Sequence, residues 1–574
     1  MATVKPKLGL ALSGGGHRAA FFHIGVLAKL AELGLLRRLE VISTVSGGSI
    51  AGALFYLHLK NLLEDKPDSD IVDADYVQVV REVERDYREA AATNVRGAAL
   101  ANLLVNFKMV KPTYSRTDRV GELYEQRFYT RAWRDRPKRD GRIAMRDLII
   151  QPSGYAGAFD PDKENPARQA RVPILLLEAT TLNTGHNWRF EAMYMGEPPR
   201  QGTTDEIERA DIDKNVILER TRWDDLPAAC RDFPLGAAVA SSACFPGGFP
   251  PMQVPGLFND LVVELVDGGV HDNQGIEGLN DRDCTHMIIS DGSGQMPDVA
   301  RPSTRVPAVL GRVVSIYGDA EREQRLLSAL QHRDNVAFMH LQTGLPASTR
   351  KPGGQTTTEA VRLETTEFGV HLDVQHALAN IRTDLDAFSD VEAWALMADG
   401  YRLTGRIIPA RPGVATLGAP ATGTTSGWTF DAVAQQLGPA TPDPRFLKIL
   451  RVGKQRFLKP ARMVKGGVAI ANALIAAAVC AAAVGAWLLL TPHGTGLFIA
   501  ILASLVCLGI YFASENSYIK PLAVALFDVV VPALLAIPML GAAGLQLAAG
   551  RGWRAAASAQ RLGRAPEAAP AKQL

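Results

Sequence analysis

A chain of 574 residues exceeds one ordinary hydrophobic core, and its 62 Lys plus Arg against 60 Asp plus Glu leave no global field that would gather nucleic acid. Its five cysteines, Cys230, Cys244, Cys284, Cys480 and Cys507, are scattered without a close pair, which argues against a disulfide framework or a zinc site and fits a reducing compartment. Met1–Lys7 leads straight into a short apolar run and then glycines, so no cleavable leader is expected.

The first strand-length run, Leu8 to Ser13, opens into Gly14-Gly15-Gly16-His17-Arg18 and then a helical pattern, Ala19 to Leu33. Three glycines let backbone approach a ligand, and the amides of a helix start favour an anion. Such a loop suits a phosphate or an oxyanion, but neither GxGxxG nor GxxxxGK[ST] spacing is present. A second strand, Leu39 to Val45, runs into Ser46-Gly47-Gly48-Ser49 and a helix, Ile50 to Leu63. Strand, sharp turn and helix are the setting of a nucleophile elbow, in which the turn lifts the serine out of the sheet. A plain serine helix cap is the alternative for Ser46.

Residues 64–171 are polar and mostly helical in pattern, and read as an insertion over the sheet, as a lid would be. Strands are expected at Val172 to Ala179, Leu261 to Val266, His286 to Ser290 and Val336 to Leu341, with helices at Val306 to Gln331 and Asp390 to Leu403. This alternation is that of a layered α/β fold closing near residue 405. After the strand that ends at Val266 comes Asp267-Gly268-Gly269, a carboxylate at a strand end that could serve Ser46 as base. A turn aspartate is its bland reading. His271 would permit a Ser-His-Asp arrangement and ranks below the two-residue one; His17 and His23 call for the same caution.

Residues 406–444 include the Pro-, Gly-, Ala- and Thr-rich stretch Pro409 to Ser426 and are expected to be a linker. Residues 445–465 carry Arg445, Lys448, Arg451, Lys454, Arg456, Lys459, Arg462 and Lys465 without an acidic residue. Gly466 to Leu490 then runs 25 residues without a charge, enough to span the hydrocarbon, and Leu497 to Ala513 is long enough to return. A membrane hairpin within residues 466–550 is expected. The third apolar run, Leu522 to Ala549, contains Asp528, Pro532 and Pro538 and suits a re-entrant or interfacial segment before the basic tail 551–574.

Together the glycine loop with its arginine, the serine elbow and the Asp-Gly-Gly, in this order, resemble the patatin-like phospholipases. Asn183-Thr184-Gly185, the stretch Ala240 to Pro246 and the stretch Asp384 to Tyr401 are similar to bacterial members, and the likeness covers roughly residues 7–405. It implies a three-layer α/β/α patatin-like hydrolase, here with a C-terminal helical transmembrane hairpin. It also implies Ser46 as nucleophile, Asp267 as base, Gly14, Gly15, Gly16 and Arg18 as the oxyanion loop, and neither metal nor cofactor. Thr44 stands where the family's elbow has its first glycine, and Ala19 where a glycine often follows the arginine.

The expected function is a membrane-anchored serine acyl hydrolase, of phospholipase A or lysophospholipase type, with membrane lipid as substrate and anionic head groups on residues 445–465. The alternatives are an esterase for neutral acyl esters and a catalytically silent lipid-binding scaffold. Basic flanks stay cytoplasmic, so the catalytic domain is expected to face the cytoplasm.

Overall fold

The computed structural model describes residues 5–101, 114–199, 213–353, 356–358, 364–418, 427–438, 441–456, 459–463 and 467. One mixed sheet dominates it: β1 (Leu8–Leu12), β2 (Leu39–Val45), β3 (Ile174–Thr181), β4 (Asn187–Phe190), β5 (Tyr194–Gly196), β6 (Thr221–Arg222), β7 (Met252–Val254), β8 (Val263–Asp267), β9 (His286–Asp291) and β10 (Val336–His340). The order is β10-β9-β1-β2-β3-β4-β5-β6, parallel from β10 to β3 and antiparallel beyond, while β8 pairs antiparallel with β3 and β7. The expected strands lie within two residues of these bounds.

The parallel strands are apolar on both faces because helices cover both. Leu8, Leu10 and Leu12 of β1 enter one core, whereas Ala11 enters the other with Val41, Leu176 and Ile289. Over the larger core lie α1 (Gly16–Glu32), α2 (Gly47–Asp65), α3 (Asp73–Ala91), α4 (Arg116–Tyr124) and α5 (Leu235–Ser242). The smaller core is closed by α6 (Ile276–Asp281) and the C-terminal part of α7 (Val306–Ala329). Later come α8 (Leu372–Ala379), α9 (Asp390–Ile407), α10 (Asp431–Leu437) and α11 (Pro444–Gly453).

Two expectations change here. Residues 64–171 are not a separable lid: Tyr76, Val80, Val83 and Tyr87 form a buried stripe on α3, and Tyr124, Phe128 and Trp133 join the same core. Each such side chain contributes roughly 1.5–3 kcal/mol by leaving water, so this region is integral to the fold. Packing also continues past residue 405. Trp428, Phe430, Val433 and Leu437 are buried, and α11 buries Phe446, Leu447, Ile449 and Leu450 while Lys448 and Arg451 point outward. Lys459 is itself buried, 2.8 Å from Asp386, which also takes Arg382 at 2.6 Å.

Among the described residues no helix is long and apolar enough to cross a membrane. The expected hairpin, the third apolar run and the basic tail lie outside those residues. Cys230, Cys244 and Cys284 are free and buried.

Candidate active site

Ser46 and Asp267 meet because one strand sets the position of both. The end of β2 pairs with β3 at Val45 opposite Glu178, and the end of β8 pairs with β3 at Asp267 opposite Ala179, the next residue along. β2 and β8 therefore occupy one lane beside β3 and approach end to end. Asn183, in the turn after β3, holds the start of β8 through Nδ2 to the Val262 carbonyl (3.0 Å) and Oδ1 from the Glu264 amide (2.9 Å). The threonine hydroxyl of Thr180 donates to the Asp267 carbonyl at 3.1 Å.

At the elbow Ser46 adopts φ 50°, ψ −113°, a conformation that a side chain rarely takes and that functional sites often hold under strain. Gly47 and Gly48 are required for close approach. A Cβ on Gly47 would lie 2.2 Å from the Gly16 carbonyl oxygen, and one on Gly48 would lie 2.2 Å from that of Leu12. The strained turn is held by hydroxyls: the Ser46 amide donates to Ser242 Oγ (3.0 Å), which meets Ser49 Oγ (2.8 Å), which meets Thr44 Oγ1 (3.0 Å). Thr44 does not crowd the elbow. Its hydroxyl also donates to the Leu176 carbonyl at 2.9 Å, and its methyl fills the notch left by Gly52, where a Cβ would lie 2.6 Å away.

The Asp267 carboxyl is buried, accepts the Gly269 amide at 2.8 Å, and lies near enough to the Ser46 hydroxyl for that group to favour the ionised carboxylate. Burial pushes its pKa up from 3.8 to about 6, against the lowering effect of the Gly269 amide and the Ser46 hydroxyl. Tyr124, whose hydroxyl is buried without a partner among the described residues, is close enough for the Asp267 charge to raise its pKa further beyond the effect of burial. His271 is engaged elsewhere, with Nε2 2.8 Å from Glu277. No histidine bridges Ser46 and Asp267 among the described contacts. His17 is fully buried against Tyr87 (2.8 Å), and burial lowers its pKa to about 3. His23 bridges Ser290 and the Ser13 carbonyl.

The glycine loop lies against the elbow, with a Cβ on Gly14 placed 3.3 Å from that of Ser46. Gly15 has φ 137°, open to glycine alone without strain. Of the expected oxyanion donors, Gly14 is occupied, its amide donating to the Asn273 carbonyl at 2.9 Å. The amides of Gly15 and Gly16 have no partner among the described residues and stand at the N-terminus of α1. Arg18 is also placed differently from expectation. Its Nε donates to the Gly292 carbonyl (3.1 Å) and its Nη1 to that of Ile381 (2.7 Å), so it braces the loop from behind. Among the described residues no cluster of side chains suits a metal ion.

A strained serine next to a buried carboxyl, beside two unpartnered amides at a helix start, is the arrangement of acyl-transfer chemistry. Residues 10–279 match the family model of the patatin-like phospholipases. This part of the chain is a patatin-like domain, with the α/β sheet flanked by helices described above. Among solved structures, human GIVD cytosolic phospholipase A2 is similar at 12% identity, covering 72% of this chain and 63% of its own, with a TM-score of 0.34. VipD from Legionella pneumophila is similar at 15% identity, covering 71% of this chain and 67% of its own, with a TM-score of 0.27. This chain thus spans less than two thirds of the first of these, and likenesses so distant say nothing about substrate. No curated protein matches the chain.

The patatin-like domain depends on residues that local motifs do not reveal. Ser242 and Asn183 lie within stretches already noted for their resemblance, but their bonds to the elbow and to β8 are tertiary. Tyr124 carries no motif at all.

Proposed function

We propose that the chain is a serine acyl hydrolase acting on fatty acyl esters of lipids, with Ser46 and Asp267 as a catalytic dyad. The observation that carries this reading is the meeting of the strained Ser46 and the buried Asp267 at neighbouring positions of β3, next to the free Gly15 and Gly16 amides. Asp267 takes the hydroxyl proton as Ser46 Oγ attacks the acyl carbonyl, and the two amides receive the developing oxyanion. Collapse breaks the ester bond, and the proton on Asp267 passes to the departing alkoxide. Water, deprotonated in turn by Asp267, then releases the fatty acid and restores Ser46. Nothing in these steps calls for a metal or cofactor.

Thr44 was the one feature favouring a silent scaffold, and its fit over Gly52 removes that ground. Labelling of the full chain with a fluorophosphonate tests the reading. A single adduct on the peptide containing Ser46, absent from Ser46→Ala, is expected; an unlabelled wild-type chain would return the scaffold.

We further propose that residues 466–513 tether the domain to a membrane, with the domain cytoplasmic and anionic head groups against residues 445–465. An open cavity of about 350 Å³ lined by Pro444, Lys448, Arg451, Val452, Gln455 and Arg462, in which Asp373 pairs with Arg451 at 3.3 Å and leaves a surplus of cations, supports the head-group contact. Cysteine probes give the orientation. One at Thr495 should react in intact cells, whereas those at Ser517 and Ser558 should react only after permeabilisation; reaction at Ser517 from outside overturns it.

A further inference from the structure

We propose that the N-terminal half of α7 is an interfacial helix that enters an anionic lipid surface and seats the Ser46 edge of the sheet on it. Of α7, only the C-terminal part belongs to the core, where Leu326 and Ala329 are buried and Arg322 reaches Asp291, the last residue of β9, at 2.9 Å. Arg322 is thus level with the carboxyl edge of the parallel strands, the edge from which the Gly14–Gly16 loop and Ser46 emerge. Sixteen residues at 1.5 Å each carry the helix from Arg322 back to Val306, so it projects roughly 24 Å beyond that edge. The large apolar side chains of this projecting half form one broad stripe, with Gly311, Arg312, Ser315 and Gly318 on the other side. Leu310 is 60% exposed, Val314 68% and Tyr317 71%, and Val306, Val309 and Val313 are exposed with them. A helix with one apolar stripe ordinarily turns it to a core, a partner or a membrane boundary. No described element covers this one.

Charge indicates the occupant. Arg301 and Arg305 lie just before the helix and Arg312 on its outer turns, whereas the carboxylates Asp319 and Glu321 come only in the turn beside Arg322, so the outermost part of the projection carries cations alone. Apolar side chains, an exposed tyrosine and arginines together suit the boundary of an anionic bilayer better than a protein groove. The course of the chain agrees. The Asp384 carbonyl accepts the His17 amide at 3.1 Å, Gly16 packs on the Asp384 backbone, and Asp386 holds Lys459. The chain therefore leaves the described structure, toward the uncharged run from Gly466, at the same edge as Ser46 and the projecting helix.

The inference rests on the lipid acyl hydrolase reading for its substrate, so its test separates the two. An environment-sensitive fluorophore is placed at Leu310→Cys in the full chain, with Ser46→Ala to silence hydrolysis and Cys480 and Cys507 replaced by alanine. With phosphatidylcholine vesicles containing phosphatidylglycerol, the probe should shift to the blue and be quenched by doxyl groups near the head groups, and less so without phosphatidylglycerol. In the active chain, Leu310→Asp with Val314→Asp should lower hydrolysis of vesicle lipid by about tenfold while leaving a soluble acyl ester untouched. A probe that no doxyl lipid quenches, with vesicle hydrolysis unchanged in the double variant, overturns the proposal. So does a probe already in an apolar setting without lipid, if the double variant splits a dimer, because the face would then belong to a second copy. Quenching by lipid in a chain whose active form hydrolyses neither ester would uphold the docking and defeat the hydrolase reading beneath it.

Discussion

Ser46→Ala and Asp267→Asn should each remove nearly all hydrolysis of a soluble acyl ester, a fall on the order of ten-thousandfold or more where nucleophile and base act as one unit. His271→Ala should keep most of the activity, because its ring is held by Glu277 and not by the dyad. Loss in His271→Ala equal to that in Asp267→Asn, with the fold intact, would replace the dyad by a triad. The pH dependence follows from the same carboxyl. Asp267 acts as a base only when ionised and titrates near 6, so turnover should rise with pH through about 6. Stability moves in the opposite direction. The folded chain holds this proton more tightly than the unfolded one, so the contribution is complete below 3.8 and is lost as pH rises through about 6. That loss is about 3 kcal/mol. Asp267→Asn, which cannot ionise, should therefore melt no lower than the wild type at pH 8 while being inactive. Calorimetry beside the turnover assay separates a lost base from a lost fold.

The second large effect is expected at Gly15. A side chain there must abandon φ 137°, and its Cβ would stand 2.9 Å from that of Ala19 and 3.2 Å from the Gly292 carbonyl oxygen. The loop can relieve this only by turning, which carries the Gly15 amide away from the developing oxyanion. Gly15→Ala should cost about a hundredfold in turnover. The accompanying loss of stability should be about 1–3 kcal/mol, the scale of local backbone strain. Turnover within a few fold of the wild type would exclude Gly15 as a donor. Gly14→Ala provides a contrast, because its amide is already bound by Asn273 and any effect must come from crowding Ser46 and Asn273.

The parts of this site visible in the sequence are those in which neighbours along the chain decide the geometry. Strand, glycine turn and helix at Gly14–Gly16 and again at Ser46 are local patterns, and so is Asp267 at a strand end. Their meeting is not local. It depends on consecutive residues of β3, Glu178 and Ala179, receiving two strands whose catalytic ends are more than two hundred residues apart in the chain. The role of Arg18 was hidden for the same reason, since its carbonyl acceptors lie in the loops at Gly292 and Ile381. In the stretch 64–171 composition conceals the packing. The charges of α3 suggest a surface element, although Tyr76, Val80, Val83 and Tyr87 recur at the spacing of one helix face. At residues 406–444 the small and turn-forming residues concealed Trp428 and Phe430, which seal the outer side of the helical layer.

Since β9 pairs with β1, and residues near 380–384 brace Arg18 and cover Gly16, the site is closed by chain that leaves the ribosome long after Ser46. During synthesis Ser46, Asp267 and the Gly15 and Gly16 amides are all present before β9 and residues 380–384 can close around the loop. Assembly waits for contacts of great sequence separation, which form late and together. The candidate site thus acquires its full shape only as synthesis approaches the apolar C-terminal run, which gives the growing polypeptide a built-in delay between making these residues and enclosing them.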